Sequence, residues 1–258
     1  MQSIFITGAS SGIGSALAQH YAKKGSTLGL LGRNQEALER LRMQLPNSHQ
    51  HRIYTLDVND HQALAVAAND FIEYTKIVNV VIASAGISVV TLTELPEDLH
   101  IFQQVFNTNV LACIATFTPF VDHMKQHAKT TPCRLVAIAS VAGIRGLPGA
   151  GAYSASKAAV ISYCESLRLE LKKNKVSVVT IVPGYIDTPM TKINQYTMPF
   201  LMPADQFATK AVINIARGRS YVVIPWQMGV VAKLMRMLPN WLYDILFSSA
   251  PRKARKLR

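Results

Sequence analysis

Cysteine, acidic residues and long apolar runs are what this chain has least of. Its three cysteines, Cys113, Cys133 and Cys164, are far apart, and no Cys-x-x-Cys pair occurs. That argues against a disulfide framework or a zinc site and for reduced thiols in a cytosolic compartment. The seven histidines show no metal-ligand pattern. His49 and His51 fall in a polar segment, and His123 and His127 lack an acidic companion, so solvated histidines are expected and no metal. No run of about 18 uncharged apolar residues is present, which excludes an evident membrane-spanning helix. The first apolar pattern, Ile4-Phe5-Ile6, starts almost at Met1, so no secretory leader is expected.

Acids number 15 against 27 Lys and Arg, a formal net charge of +12. Such an excess suggests nucleic acid or an anionic surface as partner. Its distribution narrows the choice. Residues 217–258 hold nine Lys or Arg and one acid, Asp244, and the rest of the chain is near balance. The charge therefore sits in a tail and an apolar segment, with no finger or helix-turn-helix spacing, and no nucleic-acid partner is expected. With 49% apolar and 16% charged residues, the chain has ample material for a core and is not of disordered composition.

Short β-branched runs alternate with helical periodicity. Strands are expected at 4–7, 27–31, 52–56, 77–83, 134–140, 177–182 and 221–224. Helices are expected at 14–24, 36–45, from an Asp60 N-cap to about 74, and at 98–126, 153–172 and 204–217. Apolar strands alternating with helices imply a parallel sheet covered on both faces. The reading is one Rossmann-type, doubly wound α/β domain of about seven strands over residues 1–224. Residues 225–258 form a helical extension with a basic tail.

The first strand runs into Thr7-Gly8-Ala9-Ser10-Ser11-Gly12-Ile13-Gly14, which opens a helix. Glycines there permit a tight turn and close approach of backbone to a pyrophosphate, and the helix N-terminus supplies free N–H groups. Placement in the first strand–helix unit raises this above a chance glycine pattern. In NAD-binding versions of such a fold an acid after the second strand binds the ribose. This chain has Leu31-Gly32-Arg33-Asn34, with no carboxylate to repel a 2′-phosphate and a guanidinium suited to bind one. The expected cofactor is therefore NADP(H). Asp57, after the third strand, either meets the adenine edge or caps a turn.

Tyr153 and Lys157 lie four apart near a helix start and so share one face. Ser140 comes at the end of the preceding strand, at the sheet edge where ligands sit. A phenol protonates a nascent alkoxide once its pKa is brought down from about 10, which a nearby ammonium promotes.

With these residues the chain resembles the short-chain dehydrogenase/reductase family from Met1 to about Ile224. The marks are Thr7-x-x-x-Gly-x-Gly, Asn107-Thr108-Asn109-Val110, Ser140-Val-Ala-Gly, Tyr153-Ser-Ala-Ser-Lys157 and Pro183-Gly184-x-Ile186-x-Thr188, in order and at family-like spacing. The resemblance implies Tyr153 as general acid/base and Lys157 as the group that lowers its pKa and binds the nicotinamide ribose. Ser140 would steady the reacting oxygen, and Asn109 would hold a water linking Lys157 to solvent. Ala85 and Gly86 would line the cofactor site, and Pro183, Gly184, Ile186 and Thr188 would run along the nicotinamide. It also implies a homo-oligomer paired through the helices at 98–126 and 153–172. One departure stands out. Strand four in the family usually ends Asn-Ala-Gly, and here it ends Ser84-Ala85-Gly86, a shorter side chain with no amide fork.

Residues 189–202 occupy the place of a substrate lid and carry Met190, Ile193, Tyr196, Met198, Phe200, Leu201 and Met202. They either meet an apolar aldehyde, ketone, steroid-like or acyl-chain substrate or pack over the sheet. Beyond Trp226, two short amphipathic helices broken at Pro239-Asn240 precede the basic tail. Their apolar faces suit an anionic membrane, a dimer contact or a flap over the substrate entrance. The expected location is cytoplasmic, or peripheral on the inner face of a membrane. The rival to an enzyme is a nucleotide-binding regulator without turnover, for which a damaged Tyr153 or Lys157 would be the mark. Both are intact.

Overall fold

A computed structural model describes residues 2–248; the basic stretch 251–258 lies outside the described residues. Seven parallel strands form the central sheet: β1 (Ser3–Thr7), β2 (Thr27–Gly32), β3 (Arg52–Thr55), β4 (Val80–Ala83), β5 (Arg134–Ile138), β6 (Ser177–Pro183) and, last in the chain, β9 (Tyr221–Ile224). Their spatial order is β3-β2-β1-β4-β5-β6-β9. The chain winds outward from β1 to β3, then crosses back and winds the other way from β4. The crevice at the carboxyl ends of β1 and β4 is thus the topological switch point. Two further strands, β7 (Ile186–Asp187) and β8 (Met202–Pro203), pair in parallel and clamp the base of the 189–202 loop.

Strand alternation sends β1 side chains to two cores. Ile4 and Ile6 join a cluster with Leu17, Ala18 and Tyr21 of α1 (Gly12–Lys23), Leu38 of α2 (Gln35–Gln44) and Phe207 of α7 (Ala204–Ala216). Phe5 faces the opposite cluster, built from α3 (His61–Thr75), α5 (Ala112–His127) and α6 (Gly151–Glu170). Its ring centroid lies 5.5 Å from that of Phe71 and 5.0 Å from that of Phe120. Gly29 pairs with Phe5 across the sheet, and a Cβ there would sit 2.7 Å from the Phe5 ring. Packed interiors yield little to such an insertion. Gly29→Ala is therefore expected to destabilise the protein by about 1–3 kcal/mol, read as a lower urea midpoint with unchanged slope.

Local signals explain the helix starts. Asn34 accepts from Ala37 N–H and Asp60 accepts from Ala63 N–H, each at 2.9 Å, giving α2 and α3 side-chain caps. The expected long helix at 98–126 exists but is interrupted. Helix α4 (Leu99–Phe106) passes through a π-turn, Asn107–Leu111, into α5, and Ala112 N–H bonds Asn107 O five residues back.

Three expectations need correction. The fourth strand begins at Val80, because Lys76 is left-handed at φ 62° and Asn79 caps the sheet edge instead, its side chain accepting from Ser3 N–H. The fifth strand ends at Ile138, and Ser140 opens the short 3-10 turn Val141–Gly143. Nor are all the histidines solvated. His51 is buried, its Nδ1 accepting from Leu28 N–H while Nε2 meets Pro46 O at 2.9 Å, and His123 Nε2 accepts from Val78 N–H. The His51 ring reaches its partners through a short loop and the His123 ring through the packing of α5, contacts that periodicity does not reveal. Among the described residues no cluster of His, Cys, Asp or Glu suits a metal, and no helix is long and apolar enough to cross a membrane.

After β9 the chain forms α8 (Trp226–Met237) and α9 (Asn240–Phe247). The inner side of α8 packs tightly: Gly229 lies against Val223 of β9, and Met228 fills the space that a Cβ on Gly184 would need.

Candidate active site

The loop from β1 to α1 is built for close approach. Gly8 is left-handed at φ 69°, and a Cβ on it would lie 2.8 Å from the Ala85 backbone. A Cβ on Gly14 would fall 2.2 Å from Gly8 O. The loop therefore folds flat against the end of β4, leaving a backbone-lined cradle. Helix α1, unlike α2 and α3, has no side-chain cap on its first turn: Ser11 stands at the N-cap without bonding it. Its leading N–H groups face the crevice with the partial positive charge of the helix end. These features fit a pyrophosphate.

The cradle is one end of a cleft of about 260 Å³ that runs across the carboxyl edge of the sheet. Every site residue expected from the sequence lines this cleft except Asn109. At its outer end Arg33 is exposed, with Nη1 3.8 Å from Asp57 Oδ2. At that distance and exposure the pair contributes little to stability, and the guanidinium stays available. A shallow surface depression beside it is lined by Ser10, Arg33, Asn34, Gln35, Glu36, Glu39 and Arg40. Asp57 Oδ1 also accepts from Asn59 N–H at 2.9 Å, so the turn-capping alternative is realised while the residue lines the cleft. Asn59, which the sequence reading passed over, lines it too and donates from Nδ2 to Thr108 Oγ1 at 3.2 Å.

Toward the other end, Ser140, Tyr153 and Lys157 converge. Gly143 makes this possible: a Cβ on it would meet the Lys157 carbonyl carbon at 2.6 Å, so the 140–143 turn lies directly on α6. Ser140 hydrogen-bonds the Tyr153 hydroxyl. Lys157 is buried, donates to Ile138 O at 2.8 Å, and has Nζ 5.8 Å from the Tyr153 ring centre. Burial holds the Lys157 ammonium down at about 8. The expectation of a lowered Tyr153 pKa fails here. Burial pushes the phenol up, and the Ser140 hydrogen bond offsets only part of that. Burial draws both groups toward neutrality, and Lys157 Nζ, bonded to the Ile138 carbonyl, stays near enough to the Tyr153 ring to act on the phenol through its charge.

Asn109 sits in the π-turn, buried behind the cleft. Its Oδ1 accepts from Ile87 N–H at 2.8 Å, and its Nδ2 donates to Ile87 O at 3.0 Å and to Ser156 Oγ at 2.9 Å. The side chain thus ties the segment after β4 to α6. At Ser84, where a longer amide is usual, the Thr7 hydroxyl takes over part of the bonding, accepting from Ser84 N–H at 3.2 Å and Ala85 N–H at 3.4 Å.

A second cavity, about 280 Å³, opens beside the first. Ser140, Tyr153, Gly184, Met190 and Thr191 form the boundary between the two. Its other walls are largely apolar: Val89, Val90, Val141, Leu147, Pro148, Tyr196 and Phe247. Of the 189–202 loop, Met190 and Tyr196 face this space, while Ile193, Phe200 and Leu201 are exposed. Phe247 comes from α9, ninety or more residues from Tyr153 and Lys157, and no local pattern pointed to it. It stacks on Tyr243 with ring centres 4.5 Å apart, and the Tyr243 hydroxyl donates to Gly146 O at 2.6 Å. Arg145 lies 4.1 Å over the Tyr243 ring and donates to the carbonyls of Met235 (3.0 Å) and Leu238 (2.9 Å) and to Asn240 Oδ1 (3.1 Å). It thereby satisfies the end of α8, whose last carbonyls would otherwise lack donors.

Comparison with known proteins agrees with this layout. A family model described as short chain dehydrogenase matches residues 2–198. An uncharacterized oxidoreductase of Myxococcus xanthus is 33% identical over 241 residues, 93% of each chain. The dehydrogenase/reductase SDR family member 7B of Bos taurus is 30% identical over 273 aligned positions, covering 98% of this chain and 82% of its own. Among solved structures, a short chain dehydrogenase/reductase from Burkholderia phymatum in complex with NAD superposes with a TM-score of 0.81 at 23% identity, over 99% of this chain and 98% of that one. A short-chain dehydrogenase from Sphingobium yanoikuyae in complex with NADPH gives 0.77 at 22% identity, over 93% and 97%.

Proposed function

The chain is an oxidoreductase of the short-chain dehydrogenase family, and within that family we propose an NADPH-dependent reductase of apolar carbonyl compounds, running in reverse as an alcohol dehydrogenase. The observation that carries the reading is the shared boundary. Ser140 and Tyr153 stand between a backbone-lined dinucleotide cleft and an apolar pocket.

The cradle of Gly8, Ser10, Ser11, Gly12, Ile13 and Gly14 would hold the pyrophosphate, and Arg33 the 2′-phosphate. Ala85, Gly86, Pro183, Gly184, Ile186 and Thr188 would flank the nicotinamide half. When bound, the nicotinamide supplies or accepts the hydride. The protein's own residues do the rest. Ser140 donates to the carbonyl oxygen and orients it. Tyr153 gives its proton to that oxygen as negative charge develops there. Lys157 stabilises the phenolate left behind and binds the ribose. Both amide atoms of the Asn109 side chain are committed to protein partners, so a relay water on this residue would bond its main-chain carbonyl. Reduction is the favoured direction because NADPH is the form kept reduced in cells. A homo-oligomer paired through α4–α5 and α6 belongs to the same reading; Leu99, Leu111 and Leu169 stand exposed there.

The test is NADPH consumption against aldehydes and ketones of rising chain length, repeated with NADH and with Arg33→Ala. Turnover should rise with apolar length until the pocket is filled. Arg33→Ala should raise KM for NADPH roughly 10–100-fold, the worth of one or two hydrogen bonds to a charged group, and leave KM for NADH unchanged. An equal effect on both cofactors would remove the 2′-phosphate assignment. Tight NADPH binding with no turnover on any carbonyl would favour the nucleotide-sensing regulator.

A further inference from the structure

Helices α8 and α9 turn one side to the protein and leave the other bare. On α8, Trp226, Leu234 and Met237 are 58–78% exposed, and on α9, Trp241, Ile245 and Leu246 are 57–69% exposed. Isolated exposed apolar residues need no explanation, but exposed apolar residues recurring along each of two successive helices do. Both tryptophans of the chain are among them. Lys233 and Arg236 are exposed on α8, the sequence after α9 holds five Lys or Arg and no acid, and Asp244 is the one carboxylate of the whole segment.

We propose that this face docks on the surface of an anionic lipid bilayer. An amphipathic pair with aromatic residues at the apolar side and cations around it has the chemistry of an interfacial helix. Tryptophan's apolar body and polar N–H suit the headgroup boundary. Pairing with a second copy through the same face would bring two cationic segments together, which disfavours it. The docked face and the substrate pocket are two sides of one helix: α9 exposes Ile245 and Leu246 and sends Phe247 into the pocket wall. The Arg145–Tyr243 clamp fixes that helix to the loop after Ser140. Docking would hold the pocket mouth at the bilayer surface, where apolar substrates partition; this last step rests on the proposed function.

Co-sedimentation with phosphatidylcholine vesicles, with and without phosphatidylglycerol, tests the proposal. The full-length chain should sediment with the anionic vesicles only, and its tryptophan emission should shift to the blue, since no tryptophan lies elsewhere. Trp241→Glu and Ile245→Glu should each weaken partitioning roughly tenfold or more while turnover of a short, soluble aldehyde is unchanged. No sedimentation overturns the proposal. Sedimentation without an emission shift also overturns it, because the basic tail alone would then be binding. Emission already blue-shifted in buffer, with Ile245→Glu halving the mass seen by light scattering, would assign the face to a second copy. Vesicle binding without any NADPH turnover would leave the docking intact and refute the reductase reading instead.

Discussion

Tyr153→Phe should reduce kcat by about 10²–10⁴-fold, the usual worth of a positioned proton donor, and leave NADPH affinity within about twofold. The substitution removes one oxygen from a half-buried ring. Among the described residues its polar partner is the Ser140 hydroxyl, which has a second engagement, accepting from Ala142 N–H at 3.2 Å. The fold should therefore be unaffected, and thermal unfolding serves as the control. Burial keeps the phenol protonated at neutral pH, so the group is poised to donate. For reduction, kcat should be flat through neutrality and fall at high pH as the donor ionises. Residual activity above one-tenth of the parent would mean that another acid protonates the product. Ser140→Ala should cost less, since it orients without supplying a proton.

Lys157→Met should cost activity on a similar scale and yet raise the stability of the cofactor-free protein. Burial lowers the Lys157 pKa to about 8, against about 10.4 in an unfolded chain. Between those values the unfolded state binds more protons, so the parent's stability rises with pH through that window. Below about pH 8 the folded protein carries the full cost of a buried ammonium. Methionine removes that cost but leaves Ile138 O without its donor at 2.8 Å. A net gain of about 2 kcal/mol at neutral pH follows, or roughly 4–8 °C in Tm. The gain should shrink steadily as pH rises from about 8 toward 10. Urea unfolding of both proteins across that range measures it. A destabilised Lys157→Met would mean that the ammonium is a structural asset and would contradict its displacement toward neutrality.

Much of the architecture was legible because α/β alternation leaves a direct trace: continuous apolar strands, amphipathic helices, and Asp60 as a cap. The tight loop after β1 was legible because only glycine fits at Gly8 and Gly14, and the juxtaposition of Tyr153 and Lys157 because a four-residue spacing in a helix admits one geometry. What escaped depends on contacts distant in sequence. Phe247 reaches the pocket through an interaction between α9 and the 145–146 loop. His51 becomes a buried backbone partner through the fold of a short loop. The displacement of the Tyr153 pKa could not be read from a Tyr-Lys spacing, because burial acts on both groups and its strength is set by the whole site.

The π-turn at 107–111 bears on how the first half of this molecule is aligned with the second. A helix advances about 100° per residue, and closing one turn over five residues instead of four offsets everything beyond it by about that angle. Within the turn, the screw is locked by the Asn109 carboxamide on Ile87 and Ser156; downstream, by Phe117 and Phe120 under the sheet. Removing a single residue between them would straighten the rod and break one lock or the other. Either the carboxamide would swing away from α6 or the two rings would swing out of the core. The wide turn is in effect a phase adjuster, and it lets a single rod meet two surfaces that a regular helix would face at the wrong angle.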